Sequence, residues 1–479
     1  MTETTAKSVF ELEGPSGNSI VGSLAELGED PLGFLMRCDR DYKDIIPLRL
    51  GLTPACFVTN PELIEQVLKS RESFVKSRGF RALNTLLGSG LLTNEGESWF
   101  RQRRLAQPVF HRSRIQGYGK IMVDYTEQML AGWQPNETRD IHADMMRLTL
   151  GIVMKAIFSK DVSTQEAESV AQALDVAMNW FDSKRRQNFL IWEWFPRPEN
   201  IRYRNAIASM DKTIYGIIRD RRNAQENPQA EDPQAENPQA EDPQSEDPQS
   251  GTQADPGDLL SMLMAARDED DGTGMSDQQL RDEIATLMLA GHETTANALS
   301  WTWMLLSQNP EAGDKLKTEI EDVLGGRLPT VEDLSHLPYA NAVIKESMRL
   351  YPPVPLLGRE AAEDVEVGTY LVPKGCVVII SQWVMHHKED YFEAAEAFRP
   401  ERWLADLEKQ LPRGVYFPFG DGPRICIGKS FALMEAVLIL TTVFQRYQPS
   451  LVLDHEIVPQ PSITLRPETG IQITLKERS

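Results

Sequence analysis

Apolar residues recur at three- and four-residue intervals through most of the chain and alternate only in a few short stretches. The segment SDQQLRDEIATLMLAGHETTANALSWTWMLLSQ, capped by Ser276, predicts one helix of about 33 residues, roughly 50 Å long. A helix of that length has to cross the interior, yet its middle is polar, with His292, Glu293, Thr294 and Thr295 in succession. Buried polar groups need partners, so this stretch is a candidate site. Helical periodicity also fills most of 96–220, a helix starts at Asp258, and Asn60–Pro61 open another as N-cap and first residue. Strand patterning is confined to a hairpin over 44–58, to VEVGTYLVPKGCVVIIS, and to the tail. There SITL and GIQITL are expected to pair around a turn at Pro467–Gly470. Helices do not alternate with strands, so the chain reads as mainly α with minor β rather than a doubly wound sheet.

One segment breaks the pattern. Residues 226–250 repeat a five-residue unit, ENPQA or a close variant, five times. A proline in every unit forbids a regular helix and no apolar group is available for burial. A disordered acidic insertion at 224–256, in a loop between helices, is therefore expected within a single domain spanning 1–479. The whole chain carries 71 acids against 50 bases, and without the repeat 63 acids remain. Nucleic-acid binding is disfavoured by that balance. Four cysteines (Cys38, Cys56, Cys376, Cys426) make no disulfide framework or metal-finger spacing. With no secretory leader and no run of about 18 uncharged apolar residues, a cytoplasmic protein without a membrane span is expected.

The sharpest chemical signal is FPFGDGPRICIGKSFALMEAVLILTTVF. Cys426 lies between glycine-bearing stretches that permit tight turns and close backbone approach to a flat ligand. A helix starting just beyond it directs free N–H groups toward the sulfur and favours thiolate, the form an iron ligand needs. Taken alone, such a cysteine is more often structural.

Its surroundings change that reading. The run Phe419-x-x-Gly422-x-Arg424-x-Cys426-x-Gly428 resembles the haem-binding loop of the cytochrome P450 superfamily at every specified position. Four further motifs fall in the family's order: Trp99-x-x-x-Arg103, Ala290-Gly291-x-Glu293-Thr294-Thr295, Glu346-x-x-Arg349, and Phe398-Arg399-Pro400-Glu401-Arg402. The resemblance covers roughly residue 14 to the C-terminus, apart from the repeat. It implies the P450 fold, a helical haem-enclosing domain with small N- and C-terminal sheets. It also implies haem b (iron protoporphyrin IX) held by Cys426 as axial thiolate, with Phe419, Gly422, Gly428, Ala290 and Gly291 against the cofactor. Trp99, Arg103, Arg359 and Arg424 match positions that contact the propionates, where guanidinium supplies directed, permanent charge. Glu346, Arg349 and Arg402 would form a buried charge network on the cysteine side. Thr294 would hydrogen-bond dioxygen with Glu293 assisting proton delivery, Gly291 letting the helix open there. His292 is expected to be a satisfied helix histidine and not a ligand.

The segments that meet substrate in this family read FRALNTLLGSGLL, LMLAG, PVPLLG and QPSIT here. They are mostly aliphatic, with Arg78 and Arg81 the nearby bases, and imply a pocket for an apolar small molecule such as a fatty acid or terpenoid. No flavin, ferredoxin or dinucleotide-binding segment is fused. Electrons from NAD(P)H would arrive through a separate ferredoxin or flavodoxin and its reductase, docking on the Cys426 side of what is expected to be a monomer. A monooxygenase of soluble bacterial type is the expected activity. A peroxygenase or isomerase on the same scaffold competes with it, and a non-enzymatic haem sensor competes more weakly.

Overall fold

In the computed structural model, residues 6–81, 83–159, 164–186, 196–226, 258–452 and 454–477 are described. The proline repeat lies outside the described residues from 227 onward. The first residues assigned to the insertion, 224–226, instead end the helix Pro198–Glu226.

The predicted long helix is present as Asp277–Gln308, 32 residues, and Ser276 Oγ accepts from the Gln279 N–H at its start. It is the axis of the core, with Trp301 and Trp303 fully enclosed. The helix Ile141–Phe158 lies along it and comes so close that a Cβ on Gly291 would stand 2.6 Å from Val153 Cγ2. The central helix continues unbroken through Gly291. The expected opening is absent, and here the missing side chain admits a neighbouring helix. Helices Pro338–Leu350 and Lys429–Phe444 pack against the same axis and carry the Glu-x-x-Arg pair and the continuation of the cysteine loop.

Strands form small sheets at the periphery of this helical body. The expected hairpin over 44–58 is Ile45–Leu50 paired antiparallel with Thr53–Val58. It extends through Val377–Ile380 and Leu357–Ala361 to Phe74–Lys76 in one five-stranded sheet. Asn60 Oδ1 caps the following helix, accepting from Glu62 and Leu63 N–H. The tail is wired differently from the expectation. Leu465–Pro467 pairs with Pro459–Pro461, while Gln472–Glu477 pairs with Tyr447–Leu451 and Thr138–Asp140. Alternation identifies an amphipathic strand but says nothing about its partner, and here the partner lies far away in the chain.

Candidate functional site

The cysteine loop is shaped by backbone sterics. Gly420 and Gly422 have φ of +71° and +70°, and a Cβ on Gly422 would stand 2.5 Å from the Leu68 carbonyl oxygen. Only glycine is tolerated at that contact. The Cys426 N–H donates to Phe419 O at 2.9 Å and closes the loop, and the helix Lys429–Phe444 begins just beyond, with Gly428 as N-cap. Cys426 is the one accessible thiol of the four, although protein surrounds it on almost every side. It therefore opens onto internal space. Burial raises its pKa, and the N–H groups of Gly428 and Lys429 and the charge of Arg103 only partly oppose this. The thiolate preference expected from the helix start is thus outweighed by desolvation, and a bound cation is needed to remove the proton.

The matching wall of that space lies on the central helix. Between 280 and 306 every residue is buried except Leu287, Ala290, Gly291 and Thr294. Their spacing is i, i+3, i+4, i+7, one helix face, so a stripe in the middle of a core helix borders an internal opening. Thr294 Oγ1 donates to Ala290 O at 2.7 Å. Glu293 points elsewhere. It is 1 % exposed and accepts from Arg466 Nε at 2.5 Å and from the Thr464 hydroxyl. Burial would raise its pKa, but the Arg466 charge and these bonds outweigh it and hold the carboxyl below its usual range. His292 bonds through Nδ1 to Met288 O, and burial lowers its pKa, in line with a satisfied helix histidine.

A cationic corner adjoins the cysteine loop. Arg424 donates to Phe74 O, Arg71 O and Glu95 Oε2, the last at 2.6 Å, while the Arg359 side chain donates to the Gly358 carbonyl. Arg424 Nε and Arg359 Nε are buried without partners among the described residues. Arg103 donates to Ile425 O at 2.9 Å. Trp99 gives its indole N–H to Leu91 O and lies beside Lys76 and Arg424 at 5.6 and 5.7 Å from the ring centroid. Burial, with Arg424 and Arg359 nearby, pulls Lys76 down to about 7 and Arg359 to about 10. Lys76, Arg359 and Arg424 thus face two acids, Glu95 and Glu283, and burial pushes Glu283 itself up to about 7, which leaves a desolvated corner with a net positive balance. Two carboxylates of a bound cofactor would neutralise it.

Glu346, Arg349 and Arg402 come together as expected. Arg349 donates to both Glu346 oxygens at 2.9 and 2.8 Å and to three backbone carbonyls, and Arg402 Nε reaches Glu346 Oε1 at 2.9 Å. The Arg399 N–H and Trp403 Nε1 complete the set on the same carboxylate.

Sequence reasoning missed Lys76, Glu95, Thr464, Arg466 and Glu435. Glu435, in the helix after Cys426, is fully enclosed beside Thr295, and burial pushes its carboxyl up to about 8. Its only sequence signal was an acid inside an otherwise apolar run. Of the aliphatic loop 80–92, Leu83, Leu86 and Leu87 are packed in the core and do not line the space. Arg78 is spent in a surface ion pair with Glu360, and the Arg81 side chain lies outside the described residues. No described helix is long and apolar enough to cross a membrane. Among the described residues no cluster of His, Cys, Asp or Glu would hold a metal unaided, so a metal at Cys426 must bring other ligands with it.

The family model described as cytochrome P450 matches residues 12–475. Cyclooctatin synthase of Streptomyces melanosporofaciens is 32% identical over 456 residues, covering 94% of this chain and 92% of that one. Cyclooctat-9-en-7-ol 5-monooxygenase of the same organism is 33% identical over 434 residues, 91% and 88% of the two chains. Pentalenene oxygenase of Streptomyces avermitilis is 30% identical over 469 residues, 97% of each.

Proposed function

This chain belongs to the cytochrome P450 family, and from that premise we propose that it is a monooxygenase that hydroxylates or epoxidises an apolar terpenoid. The single observation that carries the reading is the accessible Cys426 thiol enclosed by protein, with an open stripe of Leu287, Ala290, Gly291 and Thr294 on the central helix. Haem bound there supplies the redox chemistry that activates dioxygen. Cys426 would hold its iron, and Lys76, Arg359, Arg424 and Arg103 would hold its carboxylates. Thr294, on the open face, would hold and pass a proton, with Glu293 as the acid one residue away. Leu287 and Ala290 exclude water and orient an apolar guest. Electrons would come from NAD(P)H through a separate ferredoxin or flavodoxin and its reductase.

The terpenoid class is supported by relatives named for cyclooctatin, cyclooctat-9-en-7-ol and pentalenene. A fatty-acid carboxylate would call on Arg81, whose side chain lies outside the described residues. The test is a spectral titration of the ferric protein with pentalenene, a steroid and palmitate. Pentalenene is expected to displace water and shift the Soret band to shorter wavelength, with palmitate leaving it unmoved. A shift with palmitate alone would reverse the assignment.

A second measurement addresses proton delivery. Thr294→Ala removes one hydroxyl from the open face, a hydrogen bond of about 1–1.5 kcal/mol, or roughly tenfold in product formed per NADPH. The lost electrons are expected as peroxide. Unchanged coupling would remove Thr294 from the relay.

A further inference from the structure

The hairpin Pro459–Pro461 and Leu465–Pro467 is fastened to the reactive core at several points. The Leu465 N–H donates to Pro353 O at 2.9 Å, and the Trp301 indole N–H donates to Leu465 O at 3.0 Å. Thr464 and Arg466 both bond to Glu293. Between the strands the tip exposes part of Ile463, in one of the segments expected to border substrate. The stretch 463–466 is thus expected to meet substrate at Ile463, and through Thr464 and Arg466 it holds the acid next to Thr294.

We propose that Arg466 is a positioning residue for Glu293. From the C-terminal hairpin it keeps the carboxylate charged and turned away from the open helix face, so that a guest moving the hairpin tip also sets when the acid is free to exchange a proton. The coupling half of the proposal rests on the reading of Glu293 as the proton-delivery acid.

The electrostatics around Glu293 leave Arg466 as the decisive group. The groups facing it are Arg466 and Thr464 from the hairpin, His292 from its own helix, and His142 from Ile141–Phe158. Burial holds both histidines below their ordinary range, His142 at about 4, so neither supplies a cation at neutral pH. Arg466, 11 % exposed, is left as the cation balancing a carboxylate that is 1 % exposed. An acid so enclosed protonates when its counter-charge is removed. Because Thr464 ends the hairpin tip and Arg466 lies two residues on, in the strand Leu465–Pro467, displacing the tip loosens both bonds together.

The test uses infrared difference spectra of the haem-loaded full chain at pH 7 without substrate. Arg466→Met is expected to gain one protonated-carboxyl band, which the double variant Glu293→Gln/Arg466→Met lacks and Arg466→Lys does not develop. Any protonated carboxyl common to all the variants cancels in the difference. No new band in Arg466→Met, or a band that persists in the double variant, overturns the proposal. The double variant removes both charges at once and so guards against a misfolded single variant. The underlying reading is checked separately, by peroxide released per NADPH from Glu293→Gln with pentalenene as probe. A ratio equal to that of the unsubstituted protein overturns the relay and with it the coupling half, while the infrared result still decides whether Arg466 holds the acid.

Discussion

Cys426→Ser is expected to yield a folded protein that still takes up haem but whose reduced carbon monoxide complex lacks the red-shifted Soret band. Turnover driven by NADPH should fall by roughly a thousandfold or more, about 4 kcal/mol in the barrier. The substitution changes one atom, and the reasoning turns on its acidity. Burial already raises the pKa of the native thiol, despite two backbone N–H groups and Arg103. A serine hydroxyl is far less acidic, so the same surroundings leave it protonated and a weak donor to iron. The cofactor would be retained because its carboxylates would be held independently, by the corner formed by Lys76, Arg359 and Arg424. Replacement by a neighbouring imidazole is unavailable at His292, whose Nδ1 is engaged by Met288 O inside the core. A serine variant that kept the red-shifted band would mean that another sulfur ligates, and the site would have to be redrawn.

What the chain disclosed in advance was whatever depends on local pattern. The central helix and its Ser276 cap, the Asn60 cap, and the 45–58 hairpin follow from periodicity and capping chemistry, and all are present. The residues of the cysteine loop and of the Glu346 network were legible through their ordered motifs. What escaped depends on which side of a buried surface a residue faces. Ala290, Gly291 and Thr294 were named through their motif and Leu287 through its segment, but residue type alone does not make them one open face, since Leu289 and Thr295 on the same helix are buried. Only packing on the remaining faces turns those four into a stripe. Lys76, Glu95 and Arg466 belong to no motif, and what engages Glu95 and Arg466 is Arg424 and Glu293, 329 and 173 residues away in the chain. The tail shows the same limit, because Gln472–Glu477 finds its partners at Tyr447–Leu451 and Thr138–Asp140 and not at the adjacent strand.

Glu346→Ala should be the most damaging single change to stability. Glu346 is wholly enclosed and accepts from Arg349, Arg402, the Arg399 N–H and the Trp403 indole, joining the helix Pro338–Leu350 to the segment 393–403. An alanine leaves two guanidinium groups without their counter-charge, and Arg349 itself has no exposure through which to recover hydration. Stranding one member of a buried pair costs about 3–5 kcal/mol, a large share of the 5–15 kcal/mol by which folded proteins usually exceed their unfolded states. The expected result is mostly insoluble protein, with a soluble fraction that melts roughly 5–10 °C lower and holds less haem. Glu346→Gln keeps the shape but has one acceptor oxygen in place of two and turns an N–H₂ toward a guanidinium. It should fall between alanine and the native residue. Because the network touches neither the open stripe of the central helix nor the Glu293–Arg466 pair, the soluble fraction should retain the native product-to-NADPH ratio. Lost coupling at preserved stability would be the opposite pattern, and it would place Glu346 in the chemistry instead of the scaffold.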